Sequence, residues 1–162
     1  MNQPGTTTNL VNIRSFAEAD IASVRELLII LAADLGEKVK ITSDQLETSA
    51  RYMLDRSDSY AAFVAETASA TPKVLGFVSS VFYSSLFTGR IALVNELVVN
   101  PEFRNRGVGG RLMSRVFDEA RLRGATEIEV GRIKDNEGAA RFYRRAGFTE
   151  EYVLHGHEFQ SG

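Results

Sequence analysis

The sequence lacks cysteine altogether, and it lacks any apolar run long enough to cross a membrane. Its longest uninterrupted apolar run covers residues 27–33, far short of the roughly 18 residues that a membrane-spanning helix needs. Residues 1–12 show neither the basic region nor the apolar core of a signal peptide. Together with the missing cysteine, these absences predict a soluble cytoplasmic protein that has no membrane partner.

The chain also lacks an excess of positive charge. Its 162 residues carry a formal net charge of −2, so no overall basic field exists to hold nucleic acid. Hydrophobic residues make up 44% of a length that suits one well-packed core and is short for two. We therefore predict one domain over residues 1–162, with residues 1–8 as a flexible N-terminus and no nucleic-acid partner.

What the sequence does contain is three glycines in four residues, within Arg104-Asn105-Arg106-Gly107-Val108-Gly109-Gly110. We call this segment the glycine turn. The preceding residues Ile91–Val99 are almost continuously apolar, which is typical of a strand covered on both faces, and Asn100-Pro101 ends the run. Downstream, apolar residues recur at three- and four-residue spacing to about Leu122, which is typical of an amphipathic helix. The glycines therefore lie at a predicted helix N-terminus.

A helix N-terminus favours anions, because its first N–H groups have no intrahelical partner and the helix dipole adds partial positive charge. Glycines let a phosphate approach those donors closely, and Arg104, Arg106 and Arg111 add positive charge. Two familiar phosphate motifs are excluded, because Gly110-Arg111-Leu112 has neither the lysine and hydroxyl of a P-loop nor the third glycine of a dinucleotide fingerprint. On local sequence alone, a simple glycine turn with solvated arginines stays open as the alternative.

Two motifs together resemble a known family. Arg104-x-x-Gly107-x-Gly109, after a Glu-Leu-Val-Val strand, resembles the acetyl-CoA pyrophosphate motif of the GNAT (Gcn5-related) N-acetyltransferases. Asn136-x-x-Ala139-x-x-Phe142-Tyr143-x-x-x-Gly147-Phe148 resembles the C-terminal motif of that family, at the expected distance and in the expected order. Ile13-Arg14, followed by a helix from about Asp20, resembles its first strand and helix. The resemblance covers nearly the whole chain.

The resemblance implies an N-acetyltransferase that moves an acetyl group from acetyl-CoA to a primary amine by direct attack in a ternary complex. It implies acetyl-CoA as co-substrate, no metal, a small-molecule or protein amine as partner, and a possible homodimer. No cysteine exists to carry an acyl group through a thiol. A non-catalytic acyl-CoA-binding regulatory module is the alternative. Fold resemblance does not choose the amine. We expect that choice to depend on residues 35–56 and on the loop of residues 84–89.

The resemblance also assigns site residues. It implies that the backbone of Leu97, Val98 and Val99 pairs with the pantetheine arm where neighbouring strands splay apart. It implies that the pyrophosphate is held by the glycine turn, namely Arg104, Asn105, Arg106, Gly107, Val108, Gly109 and Gly110. Asn136 matches the residue that contacts pantetheine or a catalytic water, and the alternative is a helix N-cap, a role that is compatible with the first.

Two residues are candidates for proton transfer. Tyr143 matches the family tyrosine that protonates the coenzyme A thiolate, since a phenol is protonated at neutral pH; the alternative is a core aromatic residue. Glu96 is the best candidate for the general base, and the alternative is a carboxylate that binds a substrate cation or caps the strand. In some members of the family the acid lies one position earlier, where this chain has Asn95.

The pattern of elements predicts the order β-α-α-β-β-β-α-β-α-β, with a last strand over residues 148–155. This order indicates an α/β (α+β) fold, with a mixed sheet and helices on both faces. The resemblance implies that the central sheet is GNAT-like and mostly antiparallel, with six or seven strands. His155-x-His157 would lie on one strand face, but no third ligand is suggested, so we predict no metal site.

Overall fold

The computed structural model describes residues 11–36 and 42–156, which contain five strands and four α-helices. In chain order these are β1 (Val11–Ser15), α1 (Ile21–Leu35), α2 (Ser43–Leu54), β2 (Tyr60–Thr67), β3 (Val74–Ser85), β4 (Gly89–Val99), α3 (Val108–Leu122), β5 (Glu127–Val130) and α4 (Glu137–Ala146). The residues cluster into two compact units, Met1–Val130 and Gly131–Gly162. The predicted flexible N-terminus and His157 lie outside the described residues.

The first unit is built on one sheet with the strand order β1-β2-β3-β4-β5. The first four strands pair antiparallel with their neighbours, whereas β5 runs parallel to β4. The predicted mixed and mostly antiparallel sheet is therefore confirmed. Over its first half β4 has a neighbouring strand on each side, so it is a central strand of the sheet. Its nearly continuous apolar run is typical of such a strand.

Helices cover both faces of this sheet. On one face, α1 and α2 pack on a cluster of buried residues that comprises Phe16, Val24, Leu27, Ala50, Val64, Phe77 and Val98. Helix α3 lies on the other face. Phe63 is next to Val64 on β2, so its side chain points to the opposite face of the sheet, and the Arg115 guanidinium of α3 is 4.4 Å from the Phe63 ring centroid. The buried stripe of α3 is Val108, Leu112, Met113, Val116 and Ala120, which is the three- and four-residue spacing that predicted this helix.

Local signals explain where α1 and α2 end and begin. Gly36 caps the C-terminus of α1 with a φ of 90°, a conformation that residues with a Cβ rarely adopt. Thr42 is the N-cap of α2, and its hydroxyl accepts the Gln45 N–H at 3.3 Å.

The predicted sheet of six or seven strands is not confirmed, since five strands are found in the described residues. Residues 148–155, predicted as the last strand, form no strand. Tyr152, Val153 and Leu154 there are exposed by 69%, 83% and 91%. A short apolar run forms a strand only when a neighbouring strand pairs with its backbone, and no strand among the described residues pairs with this segment. The described part of the chain has no helix with the length and apolar character that a membrane crossing requires.

Candidate functional site

A β-bulge sets the sheet face on which the Glu96 side chain of β4 lies. Ser79 of β3 lies opposite Glu96, but Ser80 lies opposite Val94, so Asn95 is an extra residue without a partner in β3. After the bulge, Glu96 lies on the same sheet face as Val98, which packs under α1. Asn95 is exposed, whereas Glu96 is partly buried. The structure therefore places the acid at position 96 in the interior of the unit.

The environment of Glu96 changes its acidity. Burial raises the pKa of its carboxyl above the usual range, because the charged form is poorly solvated. The Ser79 hydroxyl donates a hydrogen bond to Glu96 Oε2, which acts in the opposite direction by stabilising the carboxylate. A carboxylate with a raised pKa is a stronger base than a solvated one, so Glu96 is suited to accept a proton.

Beyond the bulge, β4 presents an open backbone edge. The β4–β5 ladder joins Ile91–Val94 to Glu127–Val130 and goes no further among the described residues. The Asn100 N–H donates to the Leu75 carbonyl on β3 at 2.8 Å. Successive residues of a strand direct their backbone N–H and C=O groups to opposite sides. The backbone groups of Val98 therefore point toward β3, and those of Leu97 and Val99 point away from it.

One group of this edge already has a partner, because Arg104 Nε donates to the Val99 carbonyl at 3.0 Å. The backbone groups of Leu97 and the Val99 N–H lie where β5 no longer pairs with β4. Buried or ligand-covered backbone groups need hydrogen-bond partners. An extended molecule with amide groups would fit this edge as a strand does.

The glycine turn leads directly into α3. Gly107 is the N-cap of the helix with a φ of 80°, and the first intrahelical bond runs from the Arg111 N–H to the Gly107 carbonyl at 3.0 Å. The N–H groups of Val108, Gly109 and Gly110 therefore have no partner in the helix, and no side chain caps them. A Cβ added to Gly107 or Gly110 would meet nothing within 4 Å, so the first turn has an open surface. These features fit a phosphate group.

The turn's arginines differ in their contacts. Arg104 forms an ion pair with Asp34 of α1 at 2.7 Å besides its bond to Val99, so its guanidinium anchors the turn. The Arg106 guanidinium lies 5.6 Å from the ring centroid of Phe103. Asn105 has a φ of 59°, which is uncommon outside glycine, and this lets the chain reverse before Gly107. Arg106 and Arg111 are exposed.

The second unit contains the remaining predicted residues on α4. Asn136 is its N-cap, and Asn136 Oδ1 accepts the Ala139 N–H at 2.9 Å. Tyr143 follows two turns later, with ring centroids 5.4 Å from Phe142 and 5.6 Å from Phe148 in edge-to-face packing. Burial raises the pKa of the Tyr143 phenol, which keeps it protonated as a donor.

Sequence reasoning missed Ser79 and the bulge. The two adjacent serines of β3 were an available signal, because a polar pair inside an apolar strand is unusual. Their partners were not readable, since a bulge shifts the register without a sequence marker. The described residues contain no group of three or more histidine, cysteine or acidic side chains that could hold a metal ion.

Comparisons with known proteins bear on this arrangement. A model described as the Acetyltransferase (GNAT) family matches residues 27–148. An uncharacterized N-acetyltransferase of Methanocaldococcus jannaschii is 35% identical over 86 residues, which are 52% of this chain and 38% of the relative. A thialysine N-epsilon-acetyltransferase of Bos taurus is 27% identical over 144 residues, which are 85% of this chain and 83% of the relative.

Among solved structures, AAC(6')-Iy in complex with the bisubstrate analog CoA-S-monomethyl-acetylneamine superposes with a TM-score of 0.77. The match covers 93% of this chain and 99% of that one at 20% sequence identity. At 20% sequence identity, this superposition shows that the two chains share a fold and shows nothing about the substrate.

Proposed function

Since this chain belongs to the GNAT acetyltransferase family and is an acyl-CoA-dependent acetyltransferase, we propose that it transfers the acetyl group of acetyl-CoA to a primary amine. We further propose that the amine attacks directly, in a ternary complex. The observation that carries the proposal is that three features of the site follow one another along one stretch of chain. β4 supplies a partly buried carboxylate at Glu96 and an open backbone edge at Leu97 and Val99, and the uncapped N-terminus of α3 follows.

The donor half of the site is supported by the backbone. The N–H groups of Val108, Gly109 and Gly110 would hold the pyrophosphate of coenzyme A, with the exposed Arg106 and Arg111 adding positive charge. The open edge of Leu97 and Val99 would pair with the amides of the pantetheine arm, and Val98 packs into the core beneath it. An N–H of this edge would stabilise negative charge on the thioester oxygen. Asn136, besides capping α4, has an amide NH2 group for pantetheine or water.

The acceptor half requires removal of a proton. An alkylammonium has a pKa of about 10.4, so roughly one amine in 2,500 is neutral and nucleophilic at pH 7. Glu96 would accept the amine proton, directly or through water, and burial strengthens it for this role. As the new C–N bond forms and the C–S bond breaks, the Tyr143 phenol would donate its proton to the thiolate. The chemistry needs no acyl-enzyme, and the chain has no cysteine to form one through a thiol.

For the acceptor amine we propose a chemical class, without naming one compound. The bovine relative is named for thialysine, a lysine analogue, so an alkyl primary amine is the first acceptor to test. Residues 35–56 and the loop of residues 84–89 remain our proposed determinants of this choice. In that loop, Leu86 and Phe87 are fully exposed and so are accessible to an acceptor.

The test is a thiol-release assay with acetyl-CoA and a panel of amines: thialysine, lysine, polyamines, aminoglycosides and glucosamine 6-phosphate. We expect amine-dependent thiol release with at least one class and an acetylated product by mass spectrometry. Binding of acetyl-CoA without release across the panel would instead favour the non-catalytic acyl-CoA-binding module. Failure of acetyl-CoA to bind would contradict both.

A further inference from the structure

The buried serine opposite Glu96 has no role in the chemistry described so far. Ser79 and Ser80 are adjacent on β3, and both are fully buried. The Ser80 hydroxyl donates to the Ala61 carbonyl of β2 at 3.2 Å, which is the ordinary way to satisfy a buried hydroxyl in a sheet. The Ser79 hydroxyl instead donates to the carboxylate of Glu96. The two serines are thus of the same type, equally buried and on the same strand, but they differ in their hydrogen-bond partners.

Register explains why Ser79 meets Glu96. The two residues lie directly opposite each other in the antiparallel β3–β4 pair, immediately next to the bulge at Asn95. Directly opposed side chains share a sheet face, with Cβ atoms roughly 4.5–5.5 Å apart, which a serine hydroxyl and a glutamate can bridge. The bulge sets the sheet face on which the Glu96 side chain lies, and the Ser79 hydroxyl binds its carboxylate. Together they restrict the conformations of the Glu96 side chain.

We propose that Ser79 is a positioning residue for acetyl transfer: its hydroxyl holds the Glu96 carboxylate in the orientation and charge state in which it accepts the amine proton. This inference rests on the proposed role of Glu96. A hydrogen bond to a charged acceptor is stronger than one between neutral groups, and it stabilises the carboxylate over the carboxylic acid. Ser79 thus opposes the effect of burial, which alone would favour the protonated acid that cannot act as a base.

Ser79 is the main stabilising partner of this carboxylate among the residues described. Burial and the Ser79 hydrogen bond are the two causes of the altered pKa of Glu96, and no charged side chain is among them. Four charged residues of the covering helices form ion pairs with other groups: Arg25 with Glu26, Asp34 with Arg104, and Arg51 with Glu18. Asp44 and Glu47 of α2 are exposed. Among the described residues, the Ser79 hydroxyl is therefore the side-chain group that favours the charged form of Glu96 against the effect of burial.

The direct test follows the Glu96 carboxyl by carbon NMR during a pH titration of the ligand-free protein, with Glu96→Gln identifying the signal. Ser79→Ala should move its midpoint to higher pH, because the variant removes the interaction that favours the charged form. Ser79→Thr keeps a hydroxyl and should restore the wild-type midpoint. Ser80→Ala removes an equally buried hydroxyl that does not touch Glu96, and should leave the midpoint unchanged. Ser79→Cys, nearly equal in volume to serine but a weak donor, should lie between wild type and alanine, and it replaces the alanine variant if that does not fold.

The same variants are then compared in the pH dependence of kcat/KM, with acetyl-CoA and the best amine of the panel. Ser79→Ala should move the acidic limb of kcat/KM to higher pH, because less of the free enzyme then holds Glu96 as the charged carboxylate, and should lower kcat/KM about tenfold on that limb. An unmoved NMR midpoint or an unmoved acidic limb in Ser79→Ala overturns the role of Ser79. If Glu96→Gln itself keeps the wild-type acidic limb, then the proposed base is wrong and the positioning role falls with it. The two failures are thus distinguished.

Discussion

At the scale of single residues, the first turn of α3 separates two reasons for glycine. Gly107 has a φ of 80°, so its backbone conformation itself favours glycine. Gly110 has no such conformation, and a Cβ there would meet nothing within 4 Å. Neither the fold nor close packing therefore requires glycine at position 110. Open access to the helix N–H groups is the remaining physical reason.

Gly110→Glu should leave the protein folded and prevent acetyl-CoA from binding. An acidic residue in the first turn interacts favourably with the helix dipole, so the Tm of the ligand-free variant should be unchanged or higher. Its carboxylate would repel the pyrophosphate. At 100 times Kd, acetyl-CoA should raise the Tm of wild type by roughly 5–10 °C, and thermal-shift titration should show no such rise in the variant.

Gly110→Gln and Gly110→Ala are the matched controls for size and for backbone effects. If charge is the main cause, Gln should retain part of the shift and Ala most of it. A wild-type shift in Gly110→Glu would show that the ligand does not use this helix end.

Tyr143→Phe should reduce kcat by about 100-fold, within the usual contribution of a general acid, with little change in the affinity for acetyl-CoA. The substitution keeps the ring and its edge-to-face contacts with Phe142 and Phe148, so stability should change little. Steady-state kinetics and the acetyl-CoA thermal shift measure the two effects separately. Tyr60→Phe removes a phenol at the start of β2 as the control. Unchanged turnover in Tyr143→Phe would remove this residue from the mechanism.

The residue-scale predictions show where sequence reasoning is strong and where it stops. Glycine and asparagine at helix starts were correctly placed, because capping depends on neighbours in sequence: Gly107 caps α3 and Asn136 caps α4. The sheet face on which the Glu96 side chain lies depends, by contrast, on the bulge in β4. A bulge results from pairing with another strand, so local sequence does not reveal it.

At the scale of elements, the N-cap of α4 allows its two proposed roles to be separated. Asn136→Asp keeps an oxygen acceptor for the Ala139 N–H, but it loses the amide NH2 donor. Asn136→Ala loses both and should destabilise the protein by about 1 kcal/mol in chemical denaturation. If Asn136 also binds pantetheine or water, the Asp variant should be as stable as wild type and yet have a higher KM for acetyl-CoA. Equal KM values would restrict Asn136 to capping.

The junction of β1 and α1 should make stability depend on pH. Asp20 is 5% exposed and accepts two hydrogen bonds from Arg14, which also binds Glu66 at 2.8 Å. The Arg14 guanidinium lowers the pKa of the Asp20 carboxyl below its usual value. A lowered pKa in the folded state stabilises the protein above the unfolded-state pKa, and the contribution is lost as the pH falls through the folded-state pKa.

Asp20→Asn should therefore destabilise the protein at pH 7 by roughly 1.5 kcal/mol, the low end for charged hydrogen bonds, because Arg14 is partly solvated. The difference from wild type should shrink on acidification below about pH 4, the ordinary pKa of aspartate. Urea unfolding at a series of pH values measures it. A difference that does not change with pH would show that the pair is not a source of acid sensitivity.

Most elements were predictable because their signals are local and repeated. The apolar stripe of α3 and the continuous run of β4 set both elements, and Thr42 set the start of α2. The predicted strand at residues 148–155 was wrong, although Tyr152, Val153 and Leu154 form a short apolar run that is typical of a strand. Strand formation depends on a pairing partner, which periodicity does not report.

At the scale of the whole molecule, the sequence was sufficient to predict the family and to propose the donor, and it was insufficient to predict the acceptor. The donor site that we propose uses backbone groups of one contiguous stretch, from β4 through the glycine turn, so its motif is readable in order. Acceptor recognition is expected from residues 35–56 and the loop of residues 84–89, which lie far apart in sequence. Side chains from distant segments leave no fixed spacing, so the amine has to be found by experiment.

The most direct test of the central claim is to follow an isotope-labelled acetyl group by mass spectrometry of both protein and product. The enzyme is incubated with labelled acetyl-CoA, first alone and then with an active amine from the panel. We predict that the intact protein stays unlabelled without amine, and that the label appears on the amine nitrogen as thiol is released. Label on the protein in the absence of amine that is then passed to the amine, or no transfer to any amine, would contradict direct attack in a ternary complex.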